Sequence, residues 1–246
     1  MRVLCKLIFF SIFVGIFLIN IYGVFSLEPC IVVSKIDYFG TGVQVNCPEG
    51  YAITGGGFKD LSPREDDQDI SKPRYNGWYC KDDNSKSECY AVCCDNSLIS
   101  TKIVEKMGNQ HDGISVPCDN GTVTGGGFLD ASGTNDDQDF DKPLDNGWYC
   151  KEDHSSWNSK CYGVCAEPLI GEAECITVEK AGKQNLGVEV KCPSGYTITG
   201  GGFGGETSND DDQEISKPHN NGWYCQEDNS NSNAKCYARC CRGALV

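Results

Sequence analysis

Positive charge is scarce in this chain: 21 Lys and Arg residues stand against 35 Asp and Glu residues, for a formal net charge of −14. A surface that acidic repels phosphate backbones and anionic headgroups. It therefore excludes nucleic acid, and purely electrostatic attachment to anionic lipid, as modes of binding. Histidine is nearly absent as well; His111, His154 and His219 are the three present. Neither a Gly-x-Ser-x-Gly elbow nor a His-Glu-x-x-His motif occurs, and no Cys-x-x-Cys pair stands beside histidines at zinc spacing. A non-enzymatic protein without a zinc site is the expectation. Long apolar runs are limited to one, Leu7 to Val24, which follows the basic residues Arg2 and Lys6. With small residues reaching Ser26, residues 1–26 read as a secretory signal cleaved after Ser26. An uncleaved anchor is the alternative, since the run nearly spans a bilayer. Loss of the leader takes the net charge from −14 to −16.

Cysteine, by contrast, is abundant. The chain has 17, and removing Cys5 with the leader leaves an even number. An even count behind a secretory signal implies disulfides and an oxidising compartment.

The remainder, 27–246, reads as a single domain that states one pattern three times, over 28–95, 101–166 and 173–242. Each copy opens on Cys-x-x-Gly and runs into Thr-Gly-Gly-Gly-Phe, at Cys47–Phe58, Cys118–Phe128 and Cys192–Phe203. An acidic Asp-Asp-Gln stretch and a Lys-Pro follow, then Asn-Gly-Trp-Tyr-Cys, and finally Cys-Tyr-x-x-Cys. Within a copy the apolar spacing is that of short strands bounded by Gly, Pro, Asn and Asp, and no amphipathic helix is evident. The fold class expected is all-β, built from three pseudo-symmetric disulfide-rich repeats.

Comparison of the copies suggests the disulfides. Copy two lacks a partner for the first cysteine of the others, and Ala166 replaces their last. Two cysteines lost together are most simply one bond lost together, which gives Cys30–Cys94 and Cys175–Cys241. Adjacent cysteines on a strand face opposite ways, so Cys93 and Cys94 take different partners. A hairpin turning over Asp83–Ser87 suits Cys80–Cys89, Cys150–Cys161 and Cys225–Cys236. The remaining pairs are Cys47–Cys93, Cys118–Cys165 and Cys192–Cys240. Six cysteines alone permit about fifteen connectivities, so the inner pairs stay open at this stage.

The shared motifs read as scaffold. Gly-Gly-Gly-Phe has no following helix and no Lys-Ser/Thr, so no nucleotide is expected; glycines of this kind let strands bulge or approach closely, here near a pseudo-threefold axis. Trp78, Trp148 and Trp223 read as core fillers. In the acidic stretches, Asp66, Asp67, Asp136, Asp137, Asp211 and Asp212 offer oxygens of the kind Ca²⁺ takes. No copy matches an EF-hand, and solvated turns with a lysine pairing are the alternative. No cofactor is expected, with calcium left open.

One residue stands out by appearing once. Trp157, with His154, Ser156 and Asn158, occupies the tip between Cys150 and Cys161, where the other copies are wholly polar. An aromatic on such a tip is a candidate contact with a membrane interface or a partner pocket, unless it folds back onto its own sheet. Asn120-Gly-Thr122 is the sole Asn-x-Ser/Thr sequence.

Three disulfide-rich copies with Cys-Pro-x-Gly, Gly-Gly-Phe and Trp-x-Cys resemble the β-prism of vitelline membrane outer layer protein and of the C-terminal domain of apicomplexan perforin-like proteins. The resemblance covers 28–242. It implies three sheets closing a prism and a loop tip that touches membrane, here Trp157. The Lys/Ile/Phe-rich leader and Asn-rich loops are similar to those of malaria-parasite proteins. Storage in micronemes and action in egress or cell traversal are what this resemblance implies. The chain has no room for a pore-forming domain. The expectation is thus a secreted, non-enzymatic membrane- or host-surface-binding module whose partner is a membrane lipid or a cell-surface receptor or glycan. A glycan-binding lectin or a structural coat protein is the alternative.

Overall fold

A computed structural model describes residues 29–36, 41–61, 69–81, 86–109, 111–130, 138–152, 158–169, 171–205, 213–227 and 233–243. The leader lies outside them. Copy one forms β1 (Cys30–Ile36), β2 (Val43–Asn46), β3 (Tyr51–Asp60), β4 (Ile70–Pro73), β5 (Gly77–Lys81) and β6 (Ser87–Asp95). Copy two forms β7 (Ile99–Asn109), β8 (Ile114–Pro117), β9 (Thr122–Leu129), β10 (Phe140–Leu144), β11 (Gly147–Lys151) and β12 (Asn158–Pro168). Copy three forms β13 (Ala173–Lys183), β14 (Val188–Lys191), β15 (Thr197–Gly205), β16 (Gln213–Pro218), β17 (Gly222–Glu227) and β18 (Asn233–Gly243), with one 3₁₀ turn at Gln184–Leu186. The protein is all-β, and its strands close three six-stranded sheets into a prism.

No sheet belongs to one copy. The first runs β1-β6-β3-β16-β17-β14, the second β2-β5-β4-β9-β12-β7 and the third β13-β18-β15-β10-β11-β8. Each copy gives three strands to one sheet and three to the next, so the copies exchange halves around a closed ring. The hairpin within a copy is also not the one expected. It joins the fourth and fifth strands through the Asn-Gly turn, as in β4–β5 with Pro73 opposite Trp78. The segment between β5 and β6 instead crosses between sheets, because β5 is already flanked by β2 and β4. β4 reads as loop in the sequence, since a four-residue strand ending in proline gives little pattern.

This exchange alters what the disulfides do. The eight bonds are those the comparison of copies arrives at. Cys80–Cys89, however, does not staple a hairpin; it ties the second sheet to the first. Cys150–Cys161 ties the third to the second and Cys225–Cys236 the first to the third, so one such bond closes each edge of the prism. The outermost pairs lie in register within a sheet, Cys30 opposite Cys94 and Cys175 opposite Cys241. The same position in copy two holds Thr101 opposite Ala166, the missing bond in place.

The glycine strands meet at the pseudo-threefold axis. A Cβ on Gly55 would stand 2.4 Å from Thr199 O, on Gly125 2.4 Å from Thr54 O, and on Gly200 2.4 Å from Thr124 O. Only residues without a Cβ let three backbones pack this closely. The register slips beside each, and the threonine at the slip turns its hydroxyl to a neighbouring carbonyl; Thr124 Oγ1 donates to Thr54 O at 2.9 Å. Below this ring Phe58, Phe128 and Phe203 meet edge to face, with centroids 6.3, 6.3 and 6.5 Å apart. Trp78, Trp148 and Trp223 are fully buried around them, each seated on the middle glycine of its own copy. Burial of such rings contributes about 1.5–3 kcal/mol apiece, and the edge-to-face contacts about 0.5–1.5 kcal/mol more.

Candidate binding groove on the third sheet

The two halves of every sheet are joined by few residues. Ile70 and Ser71 pair with Leu129 and Phe128, Phe140 and Asp141 with Gly204 and Phe203, and Ile215 and Ser216 with Lys59 and Phe58. Beyond these joints the right-handed twist separates the halves. On the third sheet the separation opens a groove of about 700 Å³. Copy two supplies one wall through Ser115, Lys142, Leu144 and Asp145, and copy three the other through Thr177, Glu179, Lys235 and Tyr237.

Each joint is bridged by the lysine of Lys-Pro. Most of the acidic stretch expected to pair with it lies outside the described residues; within them the lysine meets a tyrosine of another copy. Lys72 Nζ lies 5.2 Å from the Tyr162 ring centre, Lys142 5.5 Å from that of Tyr237 and Lys217 5.4 Å from that of Tyr90. Burial comes first among the causes that hold all three ammonium groups below the usual lysine range. Nearby cations add to it, Lys160 at Lys72, Lys235 at Lys142 and Lys59 at Lys217. Burial, with Glu105 adding, pushes the Tyr162 phenol up to about 12, so it remains a neutral hydrogen-bonding group.

The third sheet departs from the threefold pattern at two buried places. Where the first and second sheets set Val32 opposite Val92 and Ile103 opposite Val164, the third sets Thr177 opposite Arg239. Arg239 is only 3% exposed. Its guanidinium donates to Val123 O at 2.9 Å, Thr177 Oγ1 at 3.0 Å and Asp145 O at 3.2 Å, which pins the wall from copy three to that from copy two. Burial lowers its pKa from the usual arginine range, and the charge of Asp145 opposes this.

The second departure is Asp141. Trp78 and Trp223 donate their indole N–H to Ser71 Oγ at 3.0 Å and Ser216 Oγ at 2.9 Å, whereas Trp148 donates to the Asp141 carboxyl. Desolvation, opposed in part by the indole, holds that carboxyl well above the usual carboxylate range, which favours its neutral form in the fold. Its contribution is therefore fully present below about pH 4 and is lost as pH rises, because the unfolded chain gains by ionising. Asp141→Ser, the residue of the other copies, is expected to stabilise the protein by roughly 1–3 kcal/mol near pH 7.5 and to leave it unchanged near pH 4. Guanidinium unfolding at the two pH values checks this; an equal gap at both would mean that Asp141 is charged.

His154, Ser156 and Trp157 are outside the described residues, and of Asn158 only the backbone is described. Asp66, Asp67, Asp136, Asp137, Asp211 and Asp212 are outside them too. Their flanking strands nonetheless end together: Asp60 pairs with Ser87, Leu129 with Lys160 and Gln213 with Glu227. The acidic stretches and the disulfide-closed segments thus attach at one end of the prism, and the Asn-Gly turns at the other. Gln138 and Gln213 of the Asp-Asp-Gln stretches are framework. Each amide nitrogen donates to two carbonyls of its own hairpin, at 2.8 and 2.8 Å and at 2.7 and 2.8 Å. Among the described residues no group of three or more His, Cys, Asp or Glu side chains could hold a metal ion. At the turn end Tyr75 is 78% exposed with φ 54°, where the other copies have Asp145 and Asn220. Asn120 is exposed at that same end.

The fold and the groove define a disulfide-locked β-prism with one face made polar by residues of its own. Comparison with protein-family models and with curated proteins finds no match to this chain. Eight disulfides belong to an oxidising, secreted or extracellular environment.

Proposed function

We propose that the chain is a secreted, non-enzymatic module that binds a cell surface, with the groove of the third sheet as a contact site. The observation that supports this reading most is the pairing of an open groove of about 700 Å³ with a buried Arg239 that hydrogen-bonds the exposed Thr177, a pair that the other faces lack. Cavities of roughly 300–1,000 Å³ with a few fixed polar groups are what small ligands and saccharide units occupy. A rigid scaffold closed by disulfides suits work outside the cell, where recognition without reorganisation costs little. In this reading the Trp157 end of the prism is a second contact, toward lipid, and a single tryptophan there gives only transient attachment. Action in egress or cell traversal, after release from a secretory organelle, rests on the resemblance of the repeats to apicomplexan perforin-like C-terminal domains. The test is binding of the labelled, oxidised chain to living cells and to protein-free liposomes. Saturable binding to cells is expected, with weak flotation on liposomes that Trp157→Ala abolishes. A chain that binds neither would sink the proposal.

A further inference from the structure

We infer that the groove of the third sheet takes an acidic saccharide, a sugar chain bearing a carboxylate or sulfate, with that anionic group seated on Lys142. This deepens the surface-binding reading and rests on it. Three observations on the groove converge.

The first is charge. Lys235 and Glu179 form an ion pair across strands at 2.9 Å, so that cation is compensated. Lys142 touches no carboxylate; its ammonium stands 5.2, 5.8 and 5.5 Å from the ring centres of Phe140, Tyr149 and Tyr237. Rings attract a cation but leave it without a counter-charge. A half-buried ammonium in contact with no carboxylate, where burial and Lys235 outweigh the more distant charge of Glu179, gains from a ligand anion. The first face differs here in position: Glu88 takes the place of Lys235 next to Lys217, and the second cation there is Lys59 from the other copy.

The second is the mixture of groups. Tyr237 offers part of a ring, while Ser115, Thr177, Asp145 and Glu179 offer hydroxyls and carboxylates around it. A ring edge rimmed by donors and acceptors matches the alternating C–H and O–H surface of a pyranose better than it matches an apolar tail. The carboxylates of Asp145 and Glu179 are acceptors for sugar hydroxyls and oppose a uniformly anionic peptide.

The third is pre-organisation. Arg239 spends its donors on Thr177 Oγ1 and on carbonyls of copy two, so it holds the two walls at a fixed spacing without itself reaching the ligand. It acts as a positioning residue. On the second face, where a lysine and a glutamate equivalent to Lys235 and Glu179 recur as Lys160 and Glu105, this strut is missing, and Ile103 and Val164 fill its place.

The test uses the full oxidised chain and four probes: a hyaluronan octasaccharide, a chondroitin sulfate octasaccharide, chitohexaose and a poly-glutamate peptide. Calorimetry should show binding of one or both acidic octasaccharides, weakened by salt, and about tenfold weaker binding of chitohexaose and poly-glutamate. Preference between the first two tells carboxylate from sulfate. Lys142→Gln should lose about tenfold in affinity, and Lys72→Gln on the second face should lose none. The double variant Arg239→Val with Thr177→Val restores the apolar pairing of the other faces. It should fold and melt close to the parent yet bind the octasaccharide about tenfold more weakly, a loss that a purely structural role for Arg239 would not produce. Equal losses from Lys72→Gln and Lys142→Gln would overturn the assignment, as would poly-glutamate binding as tightly as the sugars. If the chain binds cells but no acidic octasaccharide, the saccharide inference falls and the surface-binding reading stands.

Discussion

Replacing Gly125 by alanine is expected to abolish secretion of folded protein, or to lower stability by about 3–5 kcal/mol where any folded protein is recovered. The new Cβ would stand 2.4 Å from Thr54 O and 2.6 Å from Gly55 Cα. Both are backbone atoms, so no rotamer change relieves the contact. The strand that carries them cannot retreat either. Gly55 is held against Thr199 O, and Gly200 against Thr124 O, each so close that an added Cβ would stand 2.4 Å from that oxygen. Displacing one of three mutually touching strands displaces all three, along with the Phe58, Phe128 and Phe203 cluster beneath. A useful comparison is Gly50→Ala. That glycine has φ +86° and nothing within 4 Å of its Cβ position, so only the backbone strain of about 1–2 kcal/mol is expected. Secreted yield and thermal unfolding with disulfides intact distinguish the two. A Gly125→Ala protein that melts within a few degrees of Gly50→Ala would show that the axis can open.

What could be read from the sequence follows from what three copies reveal when compared. Cysteine pairing was legible because copy two lost both members of one bond, and the register of Thr101 with Ala166 explains why that loss is tolerated. The glycines were legible as sites of close approach because nothing else accounts for three in a row before a phenylalanine. The exchange of half-sheets was not legible. A ring of copies that swap strands and a row of self-contained copies carry the same repeat in the same order. The proline at the end of β4 hid the strand that makes the exchange, and the assumed hairpin across Asp83–Ser87 followed from that omission. The groove was missed although its signal was present: Arg239 stands in Cys-Tyr-x-x-Cys where the other copies have Val92 and Val164, and Asp141 stands where they have Ser71 and Ser216. Trp157 stands out in the sequence as a singleton on a polar tip, whereas the singletons Arg239 and Asp141 are buried, and burial is what one copy's sequence conceals.

The exchange of strands carries the last prediction, that residues 27–172, holding copies one and two entire, do not fold. In a linear array of repeats each unit touches only its neighbours, and removal of a terminal unit leaves a shorter but cooperative protein. Here copy three provides β14, β16 and β17 to the first sheet and β13, β15 and β18 to the third. Without it the second sheet alone keeps six strands, and two three-stranded fragments are left with open edges. Phe58 and Phe128 lose Phe203, and the axis loses one of its three glycine strands. Covalent chemistry does not rescue the fragment. All eight disulfides lie within single copies, so the five of copies one and two remain possible, yet Cys30–Cys94 only joins two strands of one sheet and the other four fix only how one copy bends between two sheets. The buried surface that rewards that bend is contributed by the missing copy. Circular dichroism and calorimetry of the oxidised fragment should show no cooperative transition, where the full chain shows one. Cooperative melting of the fragment near the temperature of the full chain would mean that adjacent copies suffice. The ring would then be a packing of independent pairs, and the third face, with its groove, could be lost without affecting the rest.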